Sequence, residues 1–443
     1  KGVSSLSVDD SLVVRLSLFT NLGSALSSAG RNFEAVDAYR NAILSHSDAI
    51  DEIVEKSTNK DATEIASQAS FYLGMCHQEL GNPQKAANAY AFASTLDEWH
   101  WGSLANLGAV LHDELGQPAE ALVAYNKAFE ILTQTEVEPT DPPQEPRYIL
   151  SQLQYRIGLA ITADPKRRCA MQDDPTTEVS CKELAANAFS HALRYDPDNN
   201  NARHMLAAVT ADATMAKASN DYVSALFDNY AENFEHSLVS ELGYNGYERL
   251  RRGFDRAFGG ADRVPTFSVV VDAGCGTGLV GEQFRNISDH LVGIDLSHSI
   301  IEQSKKARPN LYDELKVGDV VEMFQELKPI SLIIAGDSYI YFGDLLPLFT
   351  SMKEGLGDGG IVAFTLENVS EEFETSLHES TPEWRWQLTP SGRFAHRKEY
   401  VEKVGEQCHL TLIHYEKLDN FRHEHGVGVR GHLFIFKKIN KEL

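Results

Sequence analysis

The chain has 443 residues, more than a single hydrophobic core usually supports, so we expect two or more domains. Its 42% hydrophobic content is typical of a globular protein, and no apolar run approaches the ~20 residues of a membrane span, which predicts a soluble protein without a membrane partner. The net charge of −24 lacks the positive field that a nucleic-acid backbone requires, which disfavours nucleic acid as a partner.

The cellular compartment is only weakly bounded by the sequence. The chain begins at Lys1 rather than at a methionine, which predicts a trimmed or processed N-terminus whose targeting segment is not observed. None of the five cysteines forms a C-x-x-C pair, which argues against structural zinc and favours free thiols. The alternative is a disulfide between Cys169 and Cys181 within one loop. We expect the cytoplasm or a reducing organelle lumen.

The first half of the chain repeats a pattern of small and aromatic residues. The recurring sets are Leu22, Gly23, Ala35, Tyr39 and Ala42; Leu73, Gly74, Ala86, Tyr90 and Ala93; Leu107, Gly108, Ala121, Tyr125 and Ala128; and, in a fourth unit, Ala185, Phe189, Ala192 and Pro197. This pattern resembles the tetratricopeptide repeat, in which small residues let two antiparallel helices approach and an aromatic ring fills the gap. It predicts an N-terminal α-helical solenoid.

The spacing of these repeats is irregular. It predicts an extended helix or insertion between Asp48 and Asp61, and exposed loops over the proline-rich segment 137–146 and after Ala163. Repeat arrays bind partners along a concave face, which predicts a protein partner. The alternative is a rigid array that packs on the rest of the chain and supports a homodimer.

An aromatic stripe precedes the second half. Tyr222, Leu226, Tyr230 and Phe234 recur every four residues and lie on one face of a predicted helix. One interpretation is a stripe that packs in the core, and the other is a lid whose rings cover a purine or a sulfonium. We therefore predict three parts: a repeat domain over 1–215, a linker and lid over 216–265, and a last domain over 266–443.

From Thr266 onward, short apolar runs alternate with helical segments. This alternation predicts an α/β domain with a Rossmann-like, seven-stranded, doubly wound sheet that binds ligands at the carboxyl ends of its strands. The last two strands, in CHLTLIHYEKL and RGHLFIFKK, predict an antiparallel pair at one edge.

The first strand of this domain runs into the glycine loop of VVVDAGCGTGL. Its G-x-G-x-G spacing differs from the dinucleotide pattern, and a carboxylate at Asp272 would repel a pyrophosphate. The loop suits a ligand that lacks phosphate and has a cationic amino-acid end, such as S-adenosylmethionine. Asp295, at the end of the second strand, is placed to accept ribose hydroxyls. Asp319, after the third strand, is predicted to accept the adenine amino group, with Val320 beside the ring.

At these residues the chain resembles class I S-adenosylmethionine-dependent methyltransferases over residues 219–438. It is more closely similar to the predicted methyltransferases that carry tetratricopeptide repeats, through HMLAA, YVSALFDNYAENFEHSLVSELGY, DAGCGTGL, DSYIYFGDL, FAHRKEY and GHLFIFKK. The resemblance implies S-adenosylmethionine as the cofactor, bound by the glycine loop, by the three strand-end acids and by a lid tyrosine. The full predicted cofactor set is Tyr222, Tyr230, Asp272, Gly274, Gly276, Gly278, Asp295, Leu296, Asp319, Val320 and Asp337.

The acceptor site is less determined. Methyl transfer requires a positioned nucleophile and a base if that nucleophile carries a proton. His396 is our first candidate base because an imidazole titrates near neutrality, and Tyr341 and Tyr339 follow. Arg385 and Arg393, in the insertion before the last strands, would suit an acceptor that bears a carboxylate, or would be ordinary surface residues.

We predict no metal site, although Asp337 and Glu367-Asn368 loosely echo the ligands of metal-dependent methyltransferases. The leading hypothesis is a methyltransferase that acts on a small molecule at oxygen, nitrogen or sulfur. One alternative is a protein methyltransferase whose repeat array recruits the substrate. The other is a non-catalytic scaffold, and three acids around a glycine loop argue against it.

Overall fold

The computed structural model describes residues 8–52, 60–135, 144–163, 180–212, 214–231, 234–241, 243–371, 373, 384–424 and 427–439. The chain divides into two compact units, Lys1–Ala202 and Arg203–Leu443. The predicted domain boundaries at residues 215 and 265 stay a prediction. No helix among the described residues is long and apolar enough to cross a membrane.

The first unit is helical. Its helices are α1 (Val8–Ser28), α2 (Asn32–Glu52), α3 (Lys60–Glu79), α4 (Pro83–Leu96), α5 (Trp101–Ala109), α6 (Pro118–Thr135), α7 (Gln144–Ala163) and α8 (Cys181–Tyr195), and α9 (Asn200–Thr210) begins in this unit. Consecutive helices from α1 to α8 pack on one another. Residues 53–59, 136–143 and 164–179, which include most of the predicted insertions, lie outside the described residues.

Helix pairs in this unit approach closely at one glycine each. A Cβ atom at Gly23 would lie 2.6 Å from the ring of Tyr39, and the same distance separates Gly74 from Tyr90. Gly108 and Tyr125 repeat this contact, and Gly158 meets the Phe189 ring in the same way. Only glycine leaves room for these rings, which explains why glycine and an aromatic residue recur together.

The described cysteines include free thiols and a disulfide-bonded residue. Cys76, Cys275 and Cys408 are buried free thiols, as the sequence predicted. Cys181 is disulfide-bonded, so the prediction of free thiols is wrong for this residue. Cys169, the partner considered for it, lies outside the described residues.

The second unit surrounds a mixed β-sheet. Its strands are β1 (Phe267–Ala273), β2 (Ser288–Asp295), β3 (Glu314–Val317), β4 (Ile330–Ala335), β5 (Leu356–Asn368), β6 (Trp386–Leu388), β7 (Phe394–His396), β8 (Leu410–Glu424) and β9 (Val427–Lys438). Its helices are α10 (Asn220–Tyr230), α11 (Phe234–His236), α12 (Gly246–Ala257), α13 (Leu279–Phe284), α14 (His298–Ala307), α15 (Val320–Glu326), α16 (Leu346–Gly355) and α17 (Lys398–Gln407).

The strand order fixes where a ligand site can form. Five parallel strands run in the order β3-β2-β1-β4-β5, and β9 then pairs antiparallel with β5 and β8. The predicted antiparallel pair of the last two strands is therefore confirmed. The order reverses between β1 and β4, and such a reversal opens a crevice at the carboxyl ends of the strands.

The prediction of seven strands is wrong by two. Within the described residues the sheet has nine strands, because two three-residue strands form in the insertion after β5. Strand β7 pairs with the end of β5 at Glu367 and Asn368, and β6 pairs with β7. Strands of that length leave little periodicity to read from a sequence. Strand β7 matters for the site because it contains His396, the predicted base, as its last residue.

The core lies on both faces of the sheet. The central strands β1, β4 and β5 are rich in β-branched and aromatic residues and are almost fully buried, as expected for strands covered by helices on both sides. One cluster packs α15, α16 and α17 against one face, and a second packs α12 and α13 against the other. The sheet is therefore a rigid base for the loops at its carboxyl edge.

Candidate active site

A cavity enclosing about 900 Å³ of empty space, part of it open to solvent, lies at the carboxyl ends of β1 to β4. Open α/β sheets bind small molecules at this edge. The predicted site residues that line it are Gly274, Gly276, Asp295, Leu296, Asp319, Val320, Asp337 and Tyr341. The structure thus brings together residues from four separate strand ends.

The glycine loop between β1 and α13 forms one wall of the cavity. Gly274, Gly276 and Gly278 have positive φ angles of 71°, 55° and 102°, in the region that favours glycine. A Cβ atom at Gly274 would lie 2.1 Å from the Ser338 Oγ, so no other residue fits there without movement. Gly278 begins α13 as its N-cap rather than lining the cavity.

The amides of this loop are bonded within the chain. Gly274 and Cys275 donate their N–H groups to the Ile294 carbonyl, at 2.8 Å and 2.9 Å. The Gly276 N–H donates to Asp295 Oδ2 at 3.0 Å, and the Gly278 N–H donates to the Cys275 carbonyl. The loop is therefore held in shape by its own contacts, and these four amides are already paired.

Asp272 lies behind the loop rather than in the cavity wall. It is fully buried at the end of β1, and Tyr312 donates a hydrogen bond to its Oδ2 atom at 2.7 Å. Its Oδ1 atom has no hydrogen-bond partner among the described residues. Burial raises the pKa of Asp272 to about 7. A buried carboxyl oxygen without a partner, next to the glycine loop, fits a cationic ligand group.

Asp295 and Asp319 stand at successive strand ends on the cavity wall. Asp295 accepts N–H bonds from Gly276 and Ser297, each at 3.0 Å, and burial raises the pKa of this carboxyl group. Asp319 is the N-cap of α15 and accepts the Val321 N–H at 2.9 Å.

Asp319 also has partners that the sequence analysis did not find. The Lys217 ammonium lies 2.6 Å from its Oδ2 atom, and the Asn220 amide lies 3.0 Å from the same atom. Burial raises the pKa of Asp319, but the hydrogen bonds with Lys217, Val321 and Asn220 lower it overall. Both partners line the cavity, so the third strand-end acid is already partly satisfied.

In the lid segment, residues 220–241, the predicted Phe234 lines the cavity, but Tyr222 does not. Val223, Phe227, Phe234 and Leu238 line the cavity, whereas Tyr222 is buried against the ring of His204 at 4.0 Å. On α10 the residues that line the cavity, Val223 and Phe227, each follow a residue of the predicted stripe by one position. The side chain of Tyr230 lies outside the described residues.

An ion-pair cluster ties the lid segment to the glycine loop. Glu235 accepts two hydrogen bonds from the Arg308 guanidinium, at 2.7 Å and 3.0 Å, and one from Thr277 Oγ1 at 2.7 Å. Arg308 also donates to the Thr277 carbonyl at 3.1 Å. These bonds lower the pKa of Glu235, with Arg308 as the largest cause. We call these three residues the clasp.

The predicted bases do not meet at the cavity. His396 is fully buried in β7, where its Nε2 atom donates to the Gly343 carbonyl at 3.1 Å. Burial lowers its pKa to about 4, so the imidazole is neutral at physiological pH, and it does not line the cavity. Tyr339 is fully buried in the core of the sheet. Of the three candidates, only Tyr341 lines the cavity.

Tyr341 is paired with an arginine of the insertion. Arg393 lines the cavity beside it and hydrogen-bonds to its side chain. Burial raises the pKa of Tyr341, and Arg393 offsets part of that rise, so the phenol keeps its proton at neutral pH. Arg385 instead stacks over the Trp386 ring at 4.4 Å.

Asp337 and Glu367, the two acids that resembled metal ligands, both contact an arginine. The Arg422 guanidinium, from β8, contacts both carboxylate oxygens of Asp337, at 2.7 Å and 2.5 Å, and also contacts Glu367. No group of three or more metal-ligating side chains occurs within the described part of the chain. Arg422 and Asp337 are 85 residues apart, so no local pattern predicts that they form a pair.

Comparison with known proteins agrees with this geometry. Residues 268–417 match a family model described as a methyltransferase domain. Trans-aconitate 2-methyltransferase of Rhizobium leguminosarum is 25% identical over 134 residues, which are 29% of this chain and 50% of that protein. Malonyl-acyl-carrier-protein O-methyltransferase of Bacillus anthracis is 24% identical over 177 residues, which are 38% of this chain and 60% of that protein.

Among solved structures, magnesium protoporphyrin IX methyltransferase of Synechocystis, with bound S-adenosylhomocysteine, is 10% identical with a TM-score of 0.37. The alignment covers 50% of this chain and 100% of that one. This chain spans about half the length of the curated relatives that it matches. The match to the methyltransferase-domain model covers residues 268–417, about a third of the chain.

Proposed function

We propose that the protein is an S-adenosylmethionine-dependent methyltransferase that acts on a small acceptor bearing a carboxylate. The observation that carries this proposal is the cavity at the carboxyl edge of the sheet, where Asp295 and Asp319 flank a glycine loop with paired amides. Bound there, S-adenosylmethionine supplies a methyl group on a positively charged sulfur, which is the electrophile of the transfer.

Different residues of the chain bind different parts of the cofactor. Asp295 binds the ribose hydroxyls, and Asp319, with Val320 beside it, binds the adenine edge. The glycine loop holds the amino-acid end, with Asp272 buried behind the loop and outside the cavity wall. Phe227 and Phe234 cover the site, and aromatic faces near a sulfonium are favourable.

The acceptor class is inferred from Arg393 and Tyr341. A guanidinium binds a carboxylate in a bidentate manner, and a protonated phenol beside it donates a further hydrogen bond. Histidine is absent from the described residues that line the cavity, and an ionised carboxylate needs no base to become a nucleophile. The relatives named for aconitate and for a malonyl thioester also act on carboxylic acids by name.

A methyl-transfer assay with labelled S-adenosylmethionine tests the proposal. Short mono-, di- and tricarboxylates are compared with amines, thiols and phenols of matched size. A methyl ester releases its label as volatile methanol in base, whereas N-methyl and S-methyl products keep it. Arg393→Met is expected to raise the KM for a carboxylate about tenfold or more and to leave the Kd for S-adenosylhomocysteine within about twofold.

Arg385→Met is the matched control, because Arg385 lies in the same insertion but stacks on Trp386 outside the cavity. It is expected to behave like the wild type. Base-stable label on amines or thiols, with no labelled carboxylate, would overturn the acceptor class. Failure to bind S-adenosylhomocysteine at all would overturn the proposed activity itself.

We infer that the first unit is a tetratricopeptide array, which supports a second candidate function, recruitment of a protein substrate. The four glycine-to-ring contacts support the repeat assignment. Large apolar side chains are exposed on this unit, with Phe33 at 77%, Trp99 at 52% and Val123 at 70%. Replacing Trp99 and Val123 with serine would abolish labelling of proteins in an extract and preserve labelling of small acids if recruitment is correct. Equal labelling of proteins by both forms would contradict it.

A further inference from the structure

The Arg422 cluster is a buried charged group that the proposed methyl transfer does not by itself require. The Arg422 side chain is fully buried, and the side chains of Asp337 and Glu367 are 11% and 6% exposed. One guanidinium therefore faces two carboxyl groups in a site almost without water. Such a cluster is expensive to bury, and apolar residues of similar size would often serve stability as well or better. A stability role alone gives no reason for it.

The position of Asp337 points to that reason. Asp337 lies directly after β4 and lines the cavity, whereas Glu367 and Arg422 do not. Its backbone is held in the left-handed region at φ 56°, which is uncommon for a residue other than glycine, and its N–H donates to Thr365 Oγ1 at 2.9 Å. Strained backbone and a buried partner together fix one carboxylate at the cavity wall.

The neighbour of Asp337 identifies the end of the cavity that it faces. Ser338 packs against Gly274, so close that a Cβ at Gly274 would overlap its Oγ atom. Asp337 is therefore next to the first turn of the glycine loop, where the proposed function places the amino-acid end of the cofactor. Arg393, the cation of the proposed acceptor site, lines the same cavity from the insertion.

We propose that Arg422 is a positioning residue that holds the Asp337 carboxylate in the cavity wall as a fixed acceptor for the α-ammonium of the cofactor. This inference rests on the proposed function. Because the NH1 atom of Arg422 reaches both oxygens of Asp337 while NH2 contacts Glu367, the guanidinium fixes the plane of that carboxylate between β4, β5 and β8. A lysine has one nitrogen, so it cannot contact Asp337 and Glu367 through two separate atoms held in one plane.

The test compares two ligands that share the nucleoside and the thioether. S-adenosylhomocysteine carries the amino-acid end, and 5′-deoxy-5′-methylthioadenosine lacks it. Calorimetric titration of the full chain with both ligands gives two Kd values for each variant. Asp337→Asn is expected to weaken S-adenosylhomocysteine about tenfold or more and methylthioadenosine by less than about twofold, because only the first ligand has an ammonium.

Arg422→Lys is also expected to weaken binding of S-adenosylhomocysteine much more than binding of methylthioadenosine. The double variant should bind S-adenosylhomocysteine as tightly as Asp337→Asn alone, because Arg422 acts through Asp337. Arg430→Lys is the matched control. Arg430 lies on the adjacent strand β9, pairs with Glu371 and does not line the cavity, so its replacement should leave both Kd values unchanged. Binding of methylthioadenosine also reports that each variant is folded.

The outcomes separate this inference from the proposed function. Equal weakening of both ligands by Arg422→Lys, or additive losses in the double variant, would overturn the positioning role and indicate a structural one. Unchanged binding of S-adenosylhomocysteine by Asp337→Asn would overturn the role of Asp337. If Arg422→Lys does not fold, the Asp337→Asn split between the ligands still decides whether Asp337 binds the ammonium. A wild-type chain that binds neither ligand would overturn the proposed function instead.

Discussion

Replacement of Asp272 by asparagine should make the ligand-free protein more stable above neutral pH. In the folded chain burial raises the pKa of Asp272 to about 7, against about 4 for an aspartate in an unfolded chain. Between these values the folded state keeps a proton that the unfolded state has released. The free energy of unfolding contributed by this group is therefore highest below about pH 4 and falls as the pH rises toward 7.

The size of the effect follows from the shift. A shift of about three units corresponds to a total of about 4 kcal/mol, of which about 3 kcal/mol is lost between pH 5 and pH 8. Asparagine has nearly the same shape, accepts the Tyr312 hydrogen bond and does not titrate. The difference in free energy of unfolding between Asp272→Asn and wild type should therefore grow in favour of the variant over that range.

Denaturant unfolding of both proteins at several pH values measures this difference, since all other titrating groups are shared. Asp289→Asn provides the control, because Asp289 is an exposed acid on the neighbouring strand β2, and this variant should follow the wild type. Parallel curves for Asp272→Asn and wild type from pH 5 to pH 8 would refute the argument, since they would mean that Asp272 titrates alike in the folded and unfolded chain.

Two further predictions concern Gly274 and His396. Gly274→Ala should lower the free energy of unfolding by at least about 1 to 2 kcal/mol, because alanine is strained at a positive φ and its Cβ would overlap Ser338. A thermal unfolding curve like that of the wild type would contradict this prediction. His396→Gln, which keeps a donor for the Gly343 carbonyl, should retain kcat and its pH profile, whereas His396→Ala should lose about 1 to 3 kcal/mol of stability with an unchanged profile. A profile that shifts in either variant would restore His396 as a base.

The predictions for the cofactor side of the site rest on local signals. The glycine loop, Asp295 and Asp319 each follow a strand whose apolar run is easy to read, and parallel strands bring their carboxyl ends to one edge. Local patterns also found the antiparallel pair at the end of the chain. In each case neighbours in the sequence carry the information.

The remaining parts of the site depend on distant contacts that no periodicity encodes. Lys217 reaches Asp319 across 102 residues, and Arg422 reaches Asp337 across 85. His396 was a reasonable base from its chemistry alone, but the short strand β7, invisible to pattern analysis, buries it. In the lid, the four-residue spacing correctly predicted a helix. It did not show that Val223 and Phe227, rather than Tyr222 and Leu226, would line the cavity.

The paired amides of the glycine loop have a consequence for selectivity among nucleotides. Cells hold abundant adenosine phosphates and dinucleotides, which share the adenosine part of the proposed cofactor. Phosphate is normally captured by free backbone N–H groups, and here Gly274, Cys275, Gly276 and Gly278 have none to offer. Asp295 and Asp337 in the same wall add like charge against it. These four amides therefore offer a phosphate group no free donor.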